Sequence, residues 1–208
     1  SLRGIADVTM VKKKAAIRAE RTVFVFLSAN TGLYGDIVQK TYTLFSQSLQ
    51  KQRSLPSIVI IGRLGRILFQ REMPKIAFTY YDFPDSSIDK KVFRDIVSYL
   101  LGFQNVLVFY GEFRNIVSQV PTVSTIAGSQ LPKGEQSRIH TRYIFEPSLK
   151  GLVKFFEEEI FTSLFEQRLH ESQLAKFASR IVTLDSSREN IEERQKSLVF
   201  DKQRLRHR

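Results

Sequence analysis

The sequence predicts an α/β protein with a largely parallel sheet and one very long C-terminal helix. Four segments are apolar on both faces instead of alternating, which is typical of strands buried inside a parallel sheet. Segments with helical spacing lie among them, in the predicted order β-α-β-β-α-β. After Pro147 the chain contains no proline and only one glycine, Gly151. Nothing in that composition interrupts a helix of about 60 residues.

The predicted strands are rich in β-branched and aromatic residues and are bounded by turn formers. They are Arg21–Ala29, Pro56–Gly62, Lys75–Phe83 and Asn105–Phe113. A further strand within 115–128 is predicted to pair with the last of these and to be interrupted at Pro121. The stretch Ile60–Ile67 holds two glycines, which we interpret as a turn at the end of a strand.

The predicted helices show apolar residues at steps of three and four. They are Ile5–Arg21, Gly35–Gln52 and Asp85–Phe103. The last of these begins with Asp85 and two serines, which are the expected N-terminal caps. Ser129–Thr141 is polar, contains proline and glycine, and is predicted to be a loop.

The second half of the C-terminal segment carries an apolar residue at every seventh position. The repeat comprises Phe177, Leu184, Ile191, Leu198 and Leu205, with Ile181 at the alternate position. This period predicts the seam of a coiled coil, and the N-terminal segment is the candidate partner helix. The alternative is a long helix that lies along its own domain.

Charge and composition narrow the class of protein. The 208 residues carry a net charge of +11, of which residues 1–21 supply +4 and residues 188–208 supply +3. A nucleic-acid-binding basic α/β protein is therefore an alternative, although the middle of the chain is only mildly basic and its aromatic residues lie in apolar strands. Cysteine is absent and there are three histidines, so we expect no thiolate site, metal site or cofactor.

The stretch LSANTGLYGDIVQK, Leu27–Lys40, follows a predicted strand and raises the question of a phosphate-binding loop. Gly32 and Gly35 have the spacing G-x-x-G, whereas a dinucleotide fingerprint needs G-x-G-x-x-G and a P-loop needs a following lysine. Asp36 would repel a phosphate at the start of the helix. We therefore interpret Gly32, Gly35 and Asp36 as a structural turn in which Asp36 caps the helix. A nucleotide-dependent α/β enzyme that uses this turn is the second alternative.

Five stretches resemble, in order, those of the gamma subunit of F-type ATP synthases. They are LSANTGLYGDIVQK, VIIGRLGR, NIVSQVPT, YIFEPSLKGLV and ESQLAKFASRIVTLDSSREN. In the first stretch the two glycines match the family and Tyr34 replaces its usual cysteine. In the last stretch Lys176 stands where the family has glutamate, so the resemblance is to a divergent member.

The resemblance implies a Rossmann-like layered domain at 22–146, flanked by helices of an antiparallel coiled-coil shaft at 1–21 and 147–208. Both shaft helices are longer in the family, so we expect a chain truncated at both ends. The resemblance also implies a non-catalytic rotor subunit without a cofactor, which couples ATP synthesis or hydrolysis to rotation. The implied partners are an alpha/beta catalytic hexamer, an epsilon-type subunit and a membrane c-ring that transports protons or another ion.

The implied location is a peripheral membrane complex on the cytoplasmic or organellar matrix face, with no direct membrane insertion and no nucleic acid bound. Within the shaft, Arg206 falls on the family position that meets acidic loops of the beta subunits. Lys202 and Arg204 lie close to it in sequence and are expected to support that contact. His207 replaces the family's glutamine, so only half of the family's pair is kept.

Overall fold

The computed structural model of the chain describes residues 22–52, 54–127 and 149–206, and within them it contains five strands and four helices. The strands are β1 (Thr22–Leu27), β2 (Ser57–Ile61), β3 (Thr79–Tyr81), β4 (Asn105–Phe113) and β5 (Gln119–Ala127). The helices are α1 (Ile37–Gln50), α2 (Arg63–Glu72), α3 (Lys90–Leu100) and α4 (Leu149–Arg206). The predicted helix Ile5–Arg21, the predicted loop Ser129–Thr141 and the side chains of Leu205 and Arg206 lie outside the described part of the structure.

The five strands form one sheet in the order β3-β2-β1-β4-β5. The first four strands are parallel to one another, and β5 pairs with β4 as an antiparallel hairpin. The central strand β1 is fully buried from Val23 onward, which explains its unbroken apolar sequence. The predicted α/β fold with a largely parallel sheet is confirmed.

Helices cover both faces of the sheet and divide the core into two clusters. On one face, α3 and the first part of α4 pack on Val23, Val25 and Leu27. On the other face, α1 and α2 pack on Phe24 and Phe26. Neighbouring β1 residues point to opposite faces, so the apolar run of β1 contributes to both clusters.

Helix α2 is an element that the sequence prediction missed. The stretch Ile60–Ile67 is not only a turn, because the chain turns at Gly62, with φ 103°, and then forms a ten-residue helix. The helix fully buries only Gly65 and Phe69, while Leu64 and Leu68 pack partly buried against the same core cluster. This apolar spacing is short and contains a glycine, so it does not stand out as a helix in the sequence. Both glycines allow close packing, since a Cβ atom would lie 2.9 Å from the backbone nitrogen of Ala29 at Gly62 and 2.6 Å from the Ser28 side chain at Gly65.

Three further local predictions are corrected. Strand β5 runs through Pro121 without interruption, and as an edge strand it tolerates a residue that has no N–H. The N-cap of α3 is Asp89, whose carboxylate accepts hydrogen bonds from the backbone N–H groups of Lys91 and Val92. Asp85 therefore does not cap this helix.

Asp36 occupies the N-cap position of α1 but makes no capping hydrogen bond. Its carboxylate instead pairs with Lys40 at 2.7 Å.

Helix α4 contains 58 residues, which corresponds to a length of about 87 Å. Its buried residues lie between Phe161 and Ser179. Beyond Val182 every residue whose side chain is described is exposed, up to Arg204. The first half of the helix lies on its own domain, as the alternative interpretation expects, and the second half leaves it. The coiled coil with the N-terminal segment stays a prediction.

Candidate functional site

The site described here is the place where α4 crosses the end of the sheet and leaves the domain. Small residues on one side of the helix, Ser172, Ala175 and Ser179, are buried at this crossing. Their spacing of three and four places them on one face of the helix, where small side chains permit a close approach to the domain. We call the domain residues that receive this face the α4 docking site: Ser28, Asn30, Tyr34, Gly35 and Asp85.

Aromatic packing holds α4 to the domain before it reaches the docking site. Phe161 and Phe165 are fully buried, and the Phe165 ring stacks on Phe93 of α3 with ring centroids 6.0 Å apart. Burying a phenylalanine side chain stabilises a fold by about 1.5–3 kcal/mol. This hydrophobic contact holds α4 at a fixed distance from α3. It does not by itself fix the rotation of α4 about its own axis.

A polar group lies between the aromatic contact and the docking site. The Arg168 Nη1 atom donates a hydrogen bond to Glu171 Oε2 at 2.8 Å, and the guanidinium lies 5.7 Å from the ring centroid of Tyr110 on β4. Burial raises the pKa of Tyr110, and the Glu171 carboxylate raises it further. The ion pair itself lies within α4, and the Tyr110 side chain, which also hydrogen-bonds with Glu171, links it to the sheet.

Lys176 makes the ionic contact between α4 and the domain. Its Nζ atom donates to the backbone carbonyl oxygen of Ser28 at 3.0 Å and to Asp85 Oδ1 at 3.4 Å. Burial lowers the pKa of Lys176, and the nearby Asp85 carboxylate opposes that shift. From the sequence, Lys176 is notable only because it replaces the glutamate of the family that the chain resembles. Its partner Asp85 is predicted there as a helix cap, so the sequence does not indicate this pair.

Asn30 joins the loops that form the docking site. Both oxygens of the Asp85 carboxylate accept from the Asn30 backbone N–H, at 3.0 and 2.9 Å. The Asn30 side chain donates to Asp82 Oδ1 and to the backbone oxygen of Phe83, and it accepts from the Arg63 backbone N–H at 2.8 Å. The loops after β1, β2 and β3 are thereby held together, and no pattern in the sequence indicated this role.

The turn that contains Gly32 and Gly35 contacts α4. Gly35 has φ 58°, and a Cβ atom there would lie 2.5 Å from Ser179 Oγ and 2.6 Å from Thr183 Oγ1. At Gly32 a Cβ atom would meet nothing within 4 Å. The space beside Gly35 is thus occupied by side chains of α4, which is consistent with a structural turn.

The predicted coiled-coil residues divide into two groups. Phe177 is partly buried and packs edge-on against Tyr34, with ring centroids 6.0 Å apart. Ile181, Leu184, Ile191 and Leu198 are between 56% and 67% exposed. The exposed seam therefore begins at Ile181. Lys202 and Arg204, predicted to contact a partner, are exposed near the end of α4.

The docking site lies where open parallel sheets of this kind bind ligands. Open parallel sheets bind ligands at the carboxyl ends of the strands where the strand order reverses, here between β1 and β4. Lys176 lies over the end of β1, and Ala175 lies beside Gly111 of β4. The fold and site define an α/β domain that fills this crevice with its own helix and extends the helix outward as a stalk.

Comparison with known proteins identifies the family. A family model described as ATP synthase matches residues 3–208. A gamma chain of ATP synthase from Symbiobacterium thermophilum is 27% identical over 82% of this chain and 61% of its own length. Another gamma chain, from Halothermothrix orenii, is 24% identical over 89% of this chain and 67% of its own length. The chain therefore belongs to the ATP synthase gamma family.

Two solved structures of ATP synthase rotors contain chains with a similar fold. A chain of the Tetrahymena thermophila mitochondrial ATP synthase, from a structure of its central stalk and c-ring, superimposes with a TM-score of 0.65 at 17% identity. That match covers 81% of this chain and 76% of the other. A chain from the rotor of the Euglena gracilis enzyme gives a TM-score of 0.62 at 12% identity, over 92% of this chain and 76% of the other.

The chain spans 61–69% of the length of the first three gamma chains to which it is similar. Among the described residues no helix is both long enough and apolar enough to span a membrane.

Proposed function

We propose that this protein is the central-stalk rotor subunit of an F-type ATP synthase or ATPase. It couples catalysis in an alpha/beta hexamer to rotation of a membrane c-ring and performs no chemistry itself. Within this proposal the α/β domain binds near the ring, together with an epsilon-type subunit. The second half of α4 enters the hexamer, and the complex lies at the membrane surface on the cytoplasmic or matrix side.

The observation that carries the proposal is the division of α4. Its first half is fixed to the domain by Phe161, Phe165 and Lys176, whereas its second half exposes apolar residues from Ile181 onward. An exposed apolar seam of this length favours a partner helix or subunit. A helix that is rigidly joined to a folded domain at one end can transmit torque from the other.

The basic end of α4 supports the same proposal. Lys202 and Arg204 are exposed near the end of the helix, and Arg206 completes a cluster of like charge in sequence. Acidic loops on a surrounding hexamer would complement these charges and favour association.

The test is reconstitution of the full-length protein with its own alpha and beta subunits. We expect one copy per hexamer and ATP-driven rotation of a probe attached to the α/β domain. Failure to assemble, combined with micromolar binding of ATP or NAD to the isolated chain, would support an enzyme instead. Steeply salt-dependent DNA binding would support the nucleic-acid-binding class.

A further inference from the structure

Lys176 is unusual in its surroundings. Of the charged residues whose side chains the structure describes, it is the only buried one, with 7% of its surface exposed. It lies between the buried small residues Ala175 and Ala178 of α4. A lysine is rarely buried unless its charge is paired, so the position requires a specific partner on the domain.

The partners of Lys176 come from separate parts of the domain. Ser28 follows β1, and Asp85 follows β3. Asp85 cannot easily follow a moving lysine, because both its carboxylate oxygens accept from the Asn30 backbone N–H. The Tyr34 ring, 5.8 Å from the ammonium, adds a cation–π contact.

Within the described part of the chain, the remaining contacts of α4 with the domain include no second buried charge. Hydrophobic burial is proportional to area and tolerates small rotations of a helix. The Arg168–Glu171 pair lies within α4 and is only partly buried, and its link to the sheet is the hydrogen bond between Glu171 and the Tyr110 side chain. Among the ion pairs of the described residues, Lys176–Asp85 is the one that joins α4 to the domain.

We propose that Lys176 is a positioning residue that fixes the rotational setting of α4 about its own axis relative to the α/β domain. If α4 rotated about its axis, the Lys176 ammonium and the Asp85 carboxylate would be left buried and unpaired. The apolar side chains around them would only repack. The pair thus prevents the helix from slipping in its docking site under load. This role rests on the proposed function as a rotor subunit.

The first experiment measures the position of the helix in the full-length chain. The sequence has no cysteine, so spin labels at Gln52→Cys and Gln195→Cys, both exposed positions, report one distance between domain and helix. We expect a narrow distance distribution in the parent and a broad one in Lys176→Met. Amide exchange of residues 172–183 should become about tenfold faster. Lys154→Met, which removes an exposed lysine paired within the helix to Glu158, is the matched control and should change neither readout.

A second variant separates positioning from stability. Lys176→Met combined with Asp85→Asn leaves no buried unpaired charge, and the asparagine oxygen can still accept from Asn30. We expect this double variant to recover thermal stability relative to Lys176→Met while the distance distribution stays broad. A narrow distribution in the double variant, or in Lys176→Met itself, would overturn the role of Lys176.

The assembled complex provides the functional readout. We expect Lys176→Met to lower stall torque and the number of ions moved per ATP, with ATP hydrolysis retained, and Lys154→Met to behave as the parent. Unchanged torque and coupling in Lys176→Met would contradict the role. If the parent complex neither assembles nor rotates, the proposed function fails, while the label distances still decide whether Lys176 sets the helix.

Discussion

At the scale of single residues, Gly35 shows why the turn after β1 requires a glycine. The residue has a positive φ, and its missing Cβ leaves room for Ser179 and Thr183 of α4. Gly32, three residues earlier, has neither a positive φ nor a close neighbour. The two glycines look equivalent in the sequence, but only one of them is required by the packing of α4.

We expect Gly35→Ala to lower the free energy of unfolding by about 2–5 kcal/mol, the sum of a left-handed backbone penalty and overpacking against α4. Gly32→Ala is the matched control and should stay within about 0.5 kcal/mol of the parent. Urea unfolding of the two variants measures the difference. Equal stability of the two would show that α4 does not press on Gly35.

The buried lysine predicts a pH dependence of stability. Burial lowers the pKa of Lys176 in the folded state below its ordinary value of 10.5. At pH values between the lowered pKa of the folded state and the ordinary pKa of 10.5, the unfolded chain binds more protons than the folded chain. In this window the free energy of unfolding therefore rises with pH. We expect the parent to gain stability relative to Lys176→Met as the pH is raised toward 10.5, by up to about 1.4 kcal/mol per pH unit.

The other charged and titratable groups near Lys176 are present in both the parent and Lys176→Met, so we expect their contributions to the pH dependence to cancel in the difference. Tyr34, whose pKa is raised mainly by burial and less by Asp85, loses stabilisation at high pH in both proteins. Arg180, which acts on Tyr34 in the opposite direction, is also present in both. Unfolding curves of the two proteins at matched pH give the difference, and a flat or falling difference would rule out this assignment.

At the scale of elements, α4 is one helix with two environments. Phe165 is fully buried against the domain, whereas Ile191 and Leu198 are more than half exposed. The helix between them is continuous, because its sequence contains neither proline nor a second glycine. The packing of the first half therefore stabilises the domain, and the apolar residues of the second half remain available to a partner.

Substitutions in the two halves should behave differently in the isolated chain. We expect Phe165→Ala to lower the free energy of unfolding by about 3–5 kcal/mol, since it leaves a cavity between α3 and α4. Ile191→Ser with Leu198→Ser should change it by less than about 0.5 kcal/mol per site. The exposed apolar seam favours self-association of the isolated chain, which the double variant should reduce. Thermal unfolding and analytical ultracentrifugation provide the measurements. A large loss of stability in the double seam variant would place the seam inside the fold of the isolated chain.

At the scale of the whole molecule, the α/β domain lies at one end of α4 and the exposed second half of this helix extends away from it. The domain binds α4 at its docking site, and the charged residues Lys202 and Arg204 lie exposed near the far end of the helix. The contact of Arg206 with acidic loops of beta subunits stays a prediction. Its test needs the assembled complex.

We expect Arg206→Ala to lower ATPase turnover or torque in that complex while the isolated chain keeps its melting temperature. An exposed ion pair at this position would be worth under about 1 kcal/mol, and a partly buried pair would be worth more. Single-molecule rotation and steady-state ATPase assays measure the effect. Turnover and torque equal to those of the parent would leave Arg206 as a surface charge.

The sequence by itself determined the order of the strands and the length of the last helix, although the predicted strand Lys75–Phe83 is only three residues long, at Thr79–Tyr81. Apolar runs such as Val23–Leu27 and the proline-free segment after Pro147 depend on local composition, which is visible without coordinates. Only the tertiary structure decided the existence of α2, the pairing of Lys176 with Asp85, and the point near Ile181 where α4 leaves the domain. These features arise from contacts between residues that are distant in sequence, 91 positions apart for Lys176 and Asp85. Local periodicity does not register such contacts, because a buried ion pair and a close glycine contact depend on which surfaces the fold brings together.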